Sequence, residues 1–177
     1  MKRHRILFAG PVGAGKSTAI RTLAEGPIVQ SEVSSPDALH AGKLTTTVAL
    51  DYATMQFGDV GVMLYGTPGQ PRFSHMWPIV ARYALGAIVL ANNESADPIG
   101  ETLFYVRAFA PLVPVDNCVV GITRSDSGRG PTVDDYSRAL EAAGLPIPAL
   151  PVDVRRRDSA LLLIELMIAR LEALGDA

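Results

Sequence analysis

Gly10-Pro11-Val12-Gly13-Ala14-Gly15-Lys16-Ser17 satisfies the pattern G-x-x-x-x-G-K-[ST] at every fixed position, directly after the apolar run Ile6-Leu7-Phe8-Ala9. A strand, a glycine-rich turn and a helix start in that order make a phosphate-binding loop. Glycines permit backbone angles and close approaches that a Cβ forbids, so successive N–H groups can turn inward around an anion. The following helix adds its N-terminal dipole. Gly13, Ala14, Gly15, Lys16, Ser17 and Thr18 are therefore the expected phosphate contacts. Lys16 supplies a point charge for the β and γ phosphates and Ser17 a hydroxyl for Mg²⁺. The loop specifies a nucleoside triphosphate and leaves the base open.

The 177 residues are expected to form one domain, 1–177. The net charge of −2 gives no support to a nucleic-acid partner, and Lys2-Arg3-His4-Arg5 reads as a solvated approach to the first strand. Gly10, Pro11 and Gly13 interrupt the apolar run too early for a secretory leader, and no stretch has the length of a membrane span. The single cysteine, Cys118, lies in the apolar run Cys118-Val119-Val120-Gly121-Ile122 and reads as a buried strand residue. A reducing cytoplasm is the expected compartment, with any membrane contact peripheral and through partners.

Apolar strand-like runs alternate with stretches of helical period, the pattern of a parallel sheet covered on both faces. Strands are expected near 5–9, 47–56, 61–66, 86–91, 118–122 and 148–152. Helices are expected from the phosphate loop to Gly26-Pro27 and over about 70–83, 98–110, 132–143 and 158–174. In the last, Ala160, Leu161, Ile164, Met167, Ile168 and Leu171 recur at three- and four-residue steps and read as a core-facing stripe. The fold class is α/β of the P-loop NTPase type, with a mostly parallel six-stranded sheet. The stretch from Gly26 to Lys43 reads as a long irregular loop.

Beyond that loop, Lys43-Leu44-Thr45-Thr46-Thr47-Val48-Ala49-Leu50-Asp51-Tyr52 and Leu64-Tyr65-Gly66-Thr67-Pro68-Gly69-Gln70-Pro71-Arg72-Phe73 resemble the two switches of a Ras-like small GTPase. Thr-Thr-Val-Ala-Leu-Asp-Tyr and Tyr-Gly-Thr-Pro-Gly-Gln resemble, more narrowly, the bacterial branch of the gliding and polarity protein MglA and the conservon GTPases. The likeness spans nearly the whole chain and implies GTP/GDP and Mg²⁺ as ligands. It implies a metal-binding side chain at Thr47, with Thr46 the alternative, beside Ser17. It further implies a backbone N–H at Gly69 meeting the γ phosphate and a water-orienting side chain at Gln70. A roadblock/LC7-type regulatory protein and a separate, unnamed effector are the implied partners.

Two residues depart from the usual family pattern. Gly66 stands where most Ras-like chains carry a metal-supporting aspartate, and Pro68 replaces a small alanine and fixes a backbone angle. Val12 adds bulk beside the γ phosphate, so unaided hydrolysis is expected to be slow. Arg72 is the candidate arginine finger, which with Gln70 and Lys16 completes the catalytic set.

Base reading is assigned to Thr123-Arg124-Ser125-Asp126, at the place of the family's Asn-Lys-x-Asp. The Asp126 carboxylate offers two acceptors to the N1–H and N2–H₂ donors of guanine, a pair adenine lacks. Arg124 is expected to stack on the base and Thr123 to replace an asparagine amide in part. Asp153-Val154-Arg155 occupies the place of the family's Ser-Ala-Lys loop, with Val154 acting through its backbone so that its side chain matters little. Arg155-Arg156-Arg157 reads as an exposed solubilising run. Trp77 has two open readings, a core residue or a partly exposed partner anchor. His4, His40 and His75 lack metal-ligand spacing. Two other functions remain: a nucleotide-binding module without turnover, and a small-molecule or nucleoside kinase.

Overall fold

The computed structural model describes residues 4–34 and 47–175, with side chains described over 4–29 and 50–173. Seven strands form one sheet: β1 (His4–Ala9), β2 (Val29–Ser34), β3 (Thr47–Phe57), β4 (Val60–Gly66), β5 (Gly86–Asn92), β6 (Cys118–Thr123) and β7 (Ala149–Pro151). Their order is β2-β3-β4-β1-β5-β6-β7. β4, β1, β5, β6 and β7 run parallel, and β3 pairs antiparallel with both β2 and β4. The α/β class and mostly parallel sheet are as expected. The strand count is not: β2 lies inside the stretch read as a loop, whose sequence Val29-Gln30-Ser31-Glu32-Val33-Ser34 alternates too weakly to announce a strand. It pairs only with β3, so its ladder and not its own pattern defines it.

Alternation along β1 shows how the layers arise. Ile6 and Phe8 join one apolar cluster with Ile20 and Leu23 of α1 (Lys16–Leu23) and Ala160, Leu163, Ile164 and Met167 of α5 (Arg157–Gly175). Leu7 and Ala9 face the opposite cluster, with Trp77 of α2 (Trp77–Ala81), Tyr105 and Phe109 of α3 (Pro98–Phe109) and Tyr136 and Leu140 of α4 (Val133–Ala142). Strands buried on both faces explain the near-continuous apolar runs in the sequence. The stripe expected on the last helix packs as read, with Leu163 added to it.

The helix expected over 70–83 is shorter. Pro71–Met76 is a 3-10 segment and only Trp77–Ala81 is α-helical. Pro71 and Pro78 cannot donate backbone hydrogen bonds, which suits them to the first positions of short segments and not to the interior of a long one. Trp77 is buried, which rules out the exposed-anchor reading. It packs among Phe104, Tyr105 and Phe109, with ring centroids 5.2–6.2 Å apart. Its indole N–H donates to the Pro68 carbonyl at 3.0 Å.

Chain order places β1 at the centre, where the sheet's connections diverge to β4 on one side and β5 on the other. Open α/β sheets bind ligands beyond the carboxyl ends of the strands at such a point. The glycine-rich loop leaves β1 there.

Candidate functional site

The loop between β1 and α1 has the backbone its glycines were expected to allow. Gly10, Gly13 and Gly15 all have positive φ, at 128°, 80° and 99°. At Gly10 a Cβ would stand 2.3 Å from the Leu90 carbonyl oxygen of β5, so strand and loop can approach only without a side chain there. The Lys16 ammonium donates to the carbonyls of Gly10 at 2.8 Å and Pro11 at 2.6 Å, folding the side chain back across the loop. Burial pushes its pKa down to about 8, opposed by the charge of Asp51. A desolvated ammonium on this loop is suited to an anionic ligand, whose charge replaces lost hydration. Ser17, in the first turn of α1, is exposed on the same side, and Thr18 is half-buried. The loop therefore fits a phosphate group, and Ser17 is available to the cation that accompanies it.

The second half of the site follows β6. Thr123, the last residue of that strand, is buried, and its hydroxyl lies 2.9 Å from the Ala91 carbonyl and 3.1 Å from that of Ala14. A single hydroxyl proton serves one of these carbonyls at a time. The side chain so connects β5, β6 and the phosphate loop. Arg124 takes a left-handed backbone, φ 58°, uncommon outside glycine. Its guanidinium reaches the Gly13 carbonyl at 3.0 Å and Glu94 at 3.5 Å. It thus lies over the phosphate loop. Asp126 is exposed within the 3-10 turn Ser125–Ser127. Close packing at Gly130, where a Cβ would meet the Asn93 carbonyl oxygen at 2.3 Å, holds this loop against the end of β5. The Tyr136 hydroxyl donates to the Asn93 side chain at 2.9 Å.

The loop after β7 closes the site. Arg155 donates to both carboxylate oxygens of Asp153, at 2.8 and 2.9 Å, and holds that carboxyl down to about 2. The Asp153 N–H donates to the Ser159 hydroxyl at 2.9 Å. Val154 overturns one expectation, because its side chain matters. It is buried, and its Cγ2 lies 2.9 Å from where a Cβ on Gly15 would stand, so it braces the phosphate loop from behind. The arginine run is not uniformly solvated either. Arg156 pairs with Asp158, while Arg157 pairs with Glu25 and donates to the carbonyls of Thr22 and Leu23, pinning the end of α1.

Gly13, Ala14, Gly15, Thr18, Thr123, Arg124, Asp126, Asp153, Val154 and Arg155 come together on one cleft of about 600 Å³. That volume suits a nucleotide-sized ligand. Lys16 and Gly69 meet at the loop's other side. A Cβ on Gly69 would stand 2.6 Å from the Lys16 Nζ and 2.8 Å from the Val12 backbone nitrogen. Gln70 is exposed just beyond it. Arg72 is exposed too, with its guanidinium over the Phe73 ring at 4.6 Å, and is not among the residues lining the cleft. Thr47 opens β3, but its side chain and all of Thr46 lie outside the described residues.

Sequence reasoning missed Glu94, which lines the cleft and pairs with Arg124, and Tyr105, whose hydroxyl donates to the Gly69 carbonyl. A tyrosine at a helical core position gives no sign that its hydroxyl emerges at a loop from another layer. Among the described residues no group of three or more acidic, histidine or cysteine side chains is placed to hold a metal alone.

No family model matches the chain. Over 108 residues it is 25% identical to intraflagellar transport protein 22 of Chlamydomonas reinhardtii, a stretch that covers 60% of this chain and 53% of that protein. The chain thus spans about half the length of that relative. The fold is of the P-loop α/β type. Among the described residues no helix is long and apolar enough to cross a membrane.

Proposed function

We propose that the chain is a GTP-binding switch of the Ras-like small-GTPase kind, similar to the bacterial MglA and conservon branch, that hydrolyses GTP slowly and binds a partner in the GTP state. The observation that carries this reading is the single cleft joining three loops: the phosphate loop, Thr123–Asp126 and Asp153–Arg155. Phosphates would meet the N–H groups of Gly13 to Ser17 and the Lys16 ammonium. A guanine base would lie at the far end, its paired donors facing the Asp126 carboxylate. Intraflagellar transport protein 22 supports the reading as a distant relative.

In this mechanism each residue has a limited task. Lys16 exchanges two loop carbonyls for phosphate oxygens, which concentrates positive charge where negative charge develops during transfer. A Mg²⁺ ion bound with the nucleotide would share the phosphate charge, with the Ser17 hydroxyl as a protein ligand and Thr47 as the second. Gly69 approaches the loop closely enough for its N–H to reach a terminal phosphate, and Gln70, adjacent and exposed, orients water. A roadblock/LC7-type protein is the proposed regulatory partner. A cytoplasmic location agrees with this role.

Identifying the nucleotide released from purified protein tests the base. Single-turnover hydrolysis with and without the partner tests the switch. Gln70→Leu is expected to abolish stimulated hydrolysis while leaving GTP affinity within a few fold. Release of adenine nucleotide only, or fast hydrolysis that survives Gln70→Leu, would refute the proposal. Binding without any turnover, even with a partner, would favour a nucleotide-binding module. Phosphate transfer to added nucleosides would favour a kinase.

A further inference from the structure

The loop that carries Asp126 leaves β6 at Thr123 and returns to α4 at Thr132, and one buried residue holds it near both ends. Asn93, the residue after β5, is 3% exposed. Its N–H donates to the Thr123 carbonyl at 3.1 Å, where the loop begins. Near the loop's end Gly130 lies against the same residue. A Cβ there would stand 2.3 Å from the Asn93 carbonyl oxygen and 2.5 Å from its side-chain nitrogen. Asn93 is in turn tied to α4, because the Tyr136 hydroxyl donates to its amide oxygen at 2.9 Å. Tyr136 is 1% exposed, and burial pushes its phenol up to about 12, with the Glu101 charge adding to the shift, so the hydroxyl keeps the proton it donates.

We propose that Tyr136 and Asn93 form the positioning pair for base recognition: a buried hydrogen bond behind the loop sets where the Asp126 carboxylate stands, and so how well the site separates guanine from a purine without its amino group. The inference deepens the base reading proposed above and rests on it. Neither residue lines the cleft, so both act through the loop and not on the ligand. A leucine and a phenylalanine would fill comparable space without burying polar atoms, which weaken a fold unless they are paired. What the amide and hydroxyl add is a single orientation. The last torsion of an asparagine is broad when nothing holds it, and here the amide it turns is the surface on which Gly130 packs. The donor sits on a rigid base, because Thr132 and Asp135 close a reciprocal capping box at the start of α4. Asp126 stands between the two anchored points, in the short turn Ser125–Ser127.

The test compares the affinities of GDP and inosine diphosphate, whose base keeps the N1–H and lacks the N2 amino group, by titration calorimetry. Wild-type protein should favour GDP by about tenfold or more, the effect of one charge-assisted hydrogen bond. Tyr136→Phe removes only the donor and should narrow that preference by about fivefold, with inosine diphosphate affinity within about threefold of wild type. Gly130→Ala displaces the loop from the other side of the same contact and should narrow the preference too, which keeps the test open if Tyr136→Phe does not fold. General loosening of the protein would weaken both nucleotides alike and leave their ratio unchanged. Hydrogen–deuterium exchange without nucleotide reads the loop independently of the base. Amides over 124–130 should exchange about fivefold or more faster in Tyr136→Phe, and those over 10–16 within about twofold of wild type. An unchanged affinity ratio in both variants, or unchanged exchange over 124–130, would overturn the proposal. Wild-type protein that does not distinguish the two nucleotides would refute the base assignment alone, and the exchange would then decide whether the pair positions the loop.

Discussion

A pH titration isolates the contribution of Lys16. Burial pushes its ammonium from the ordinary 10.5 to about 8 in the unliganded protein. Phosphate restores a strong partner for the charge, so the bound form holds its proton to higher pH. At pH 7 roughly nine in ten unliganded molecules carry the charge, and at pH 9 roughly one in ten, so nucleotide affinity should fall about tenfold over that range. Stability without nucleotide should move the other way. Between about 8 and 10.5 the unfolded lysine binds a proton that the folded one does not, so the unliganded fold gains stability as pH rises through that window. Equilibrium titration with fluorescent diphosphate at constant ionic strength measures the first trend, and thermal melting without nucleotide the second. Lys16→Arg is the control, because arginine keeps its charge throughout. Affinity independent of pH from 7 to 9, or an equal loss in the Lys16→Arg protein, would refute the reasoning.

Three further outcomes are expected. Gly69→Ala places a methyl 2.6 Å from the Lys16 Nζ and 2.9 Å from the Pro11 carbonyl carbon, and should weaken triphosphate by tenfold or more while sparing diphosphate, as calorimetry would show. Thr123→Val removes the hydroxyl facing the Ala14 and Ala91 carbonyls and should cost about 1–3 kcal/mol in denaturant unfolding, with Thr123→Ser recovering much of it. Asp126→Asn turns one acceptor into a donor facing guanine donors, so GTP should weaken by about 10- to 150-fold while xanthosine triphosphate binds better than to wild type.

The sequence was most legible where local chemistry and chain position agree. The phosphate loop needs glycines for its backbone and a lysine for its charge, and Gly10, Gly13, Gly15 and Lys16 stand where the motif requires. The buried strands were equally readable, because two covered faces leave no polar alternation to interpret. β2 was hidden because an edge strand takes its structure from the ladder with β3, not from its own pattern. The sequence left Trp77 open and misled on Val154 for a related reason. Their roles depend on contacts with Pro68 and Gly15, and each contact joins segments that no helical or strand period connects.

The aromatic layer bears on how Gly69 can respond to a ligand. Its carbonyl accepts from Tyr105 of α3, and the carbonyl of Pro68 accepts from Trp77 of α2 at 3.0 Å, so one aromatic cluster holds both residues. A net hydrogen bond contributes about 0.5–1.5 kcal/mol, and the two together about 1–3 kcal/mol. A charge-assisted bond from the Gly69 N–H to a terminal phosphate has a similar size, about 1.5–3 kcal/mol. Neither contribution overwhelms the other, so a phosphate that draws the segment away from its aromatic seat meets a nearly balanced equilibrium. A ligand shifts such an equilibrium only by its difference in affinity for the two positions. The fixed φ of Pro68 leaves its ψ and the Gly69 backbone to absorb the change. A ligand-driven shift of this kind would fall on Pro68 and Gly69, which touch the phosphate loop on one side and Trp77 and Tyr105 on the other.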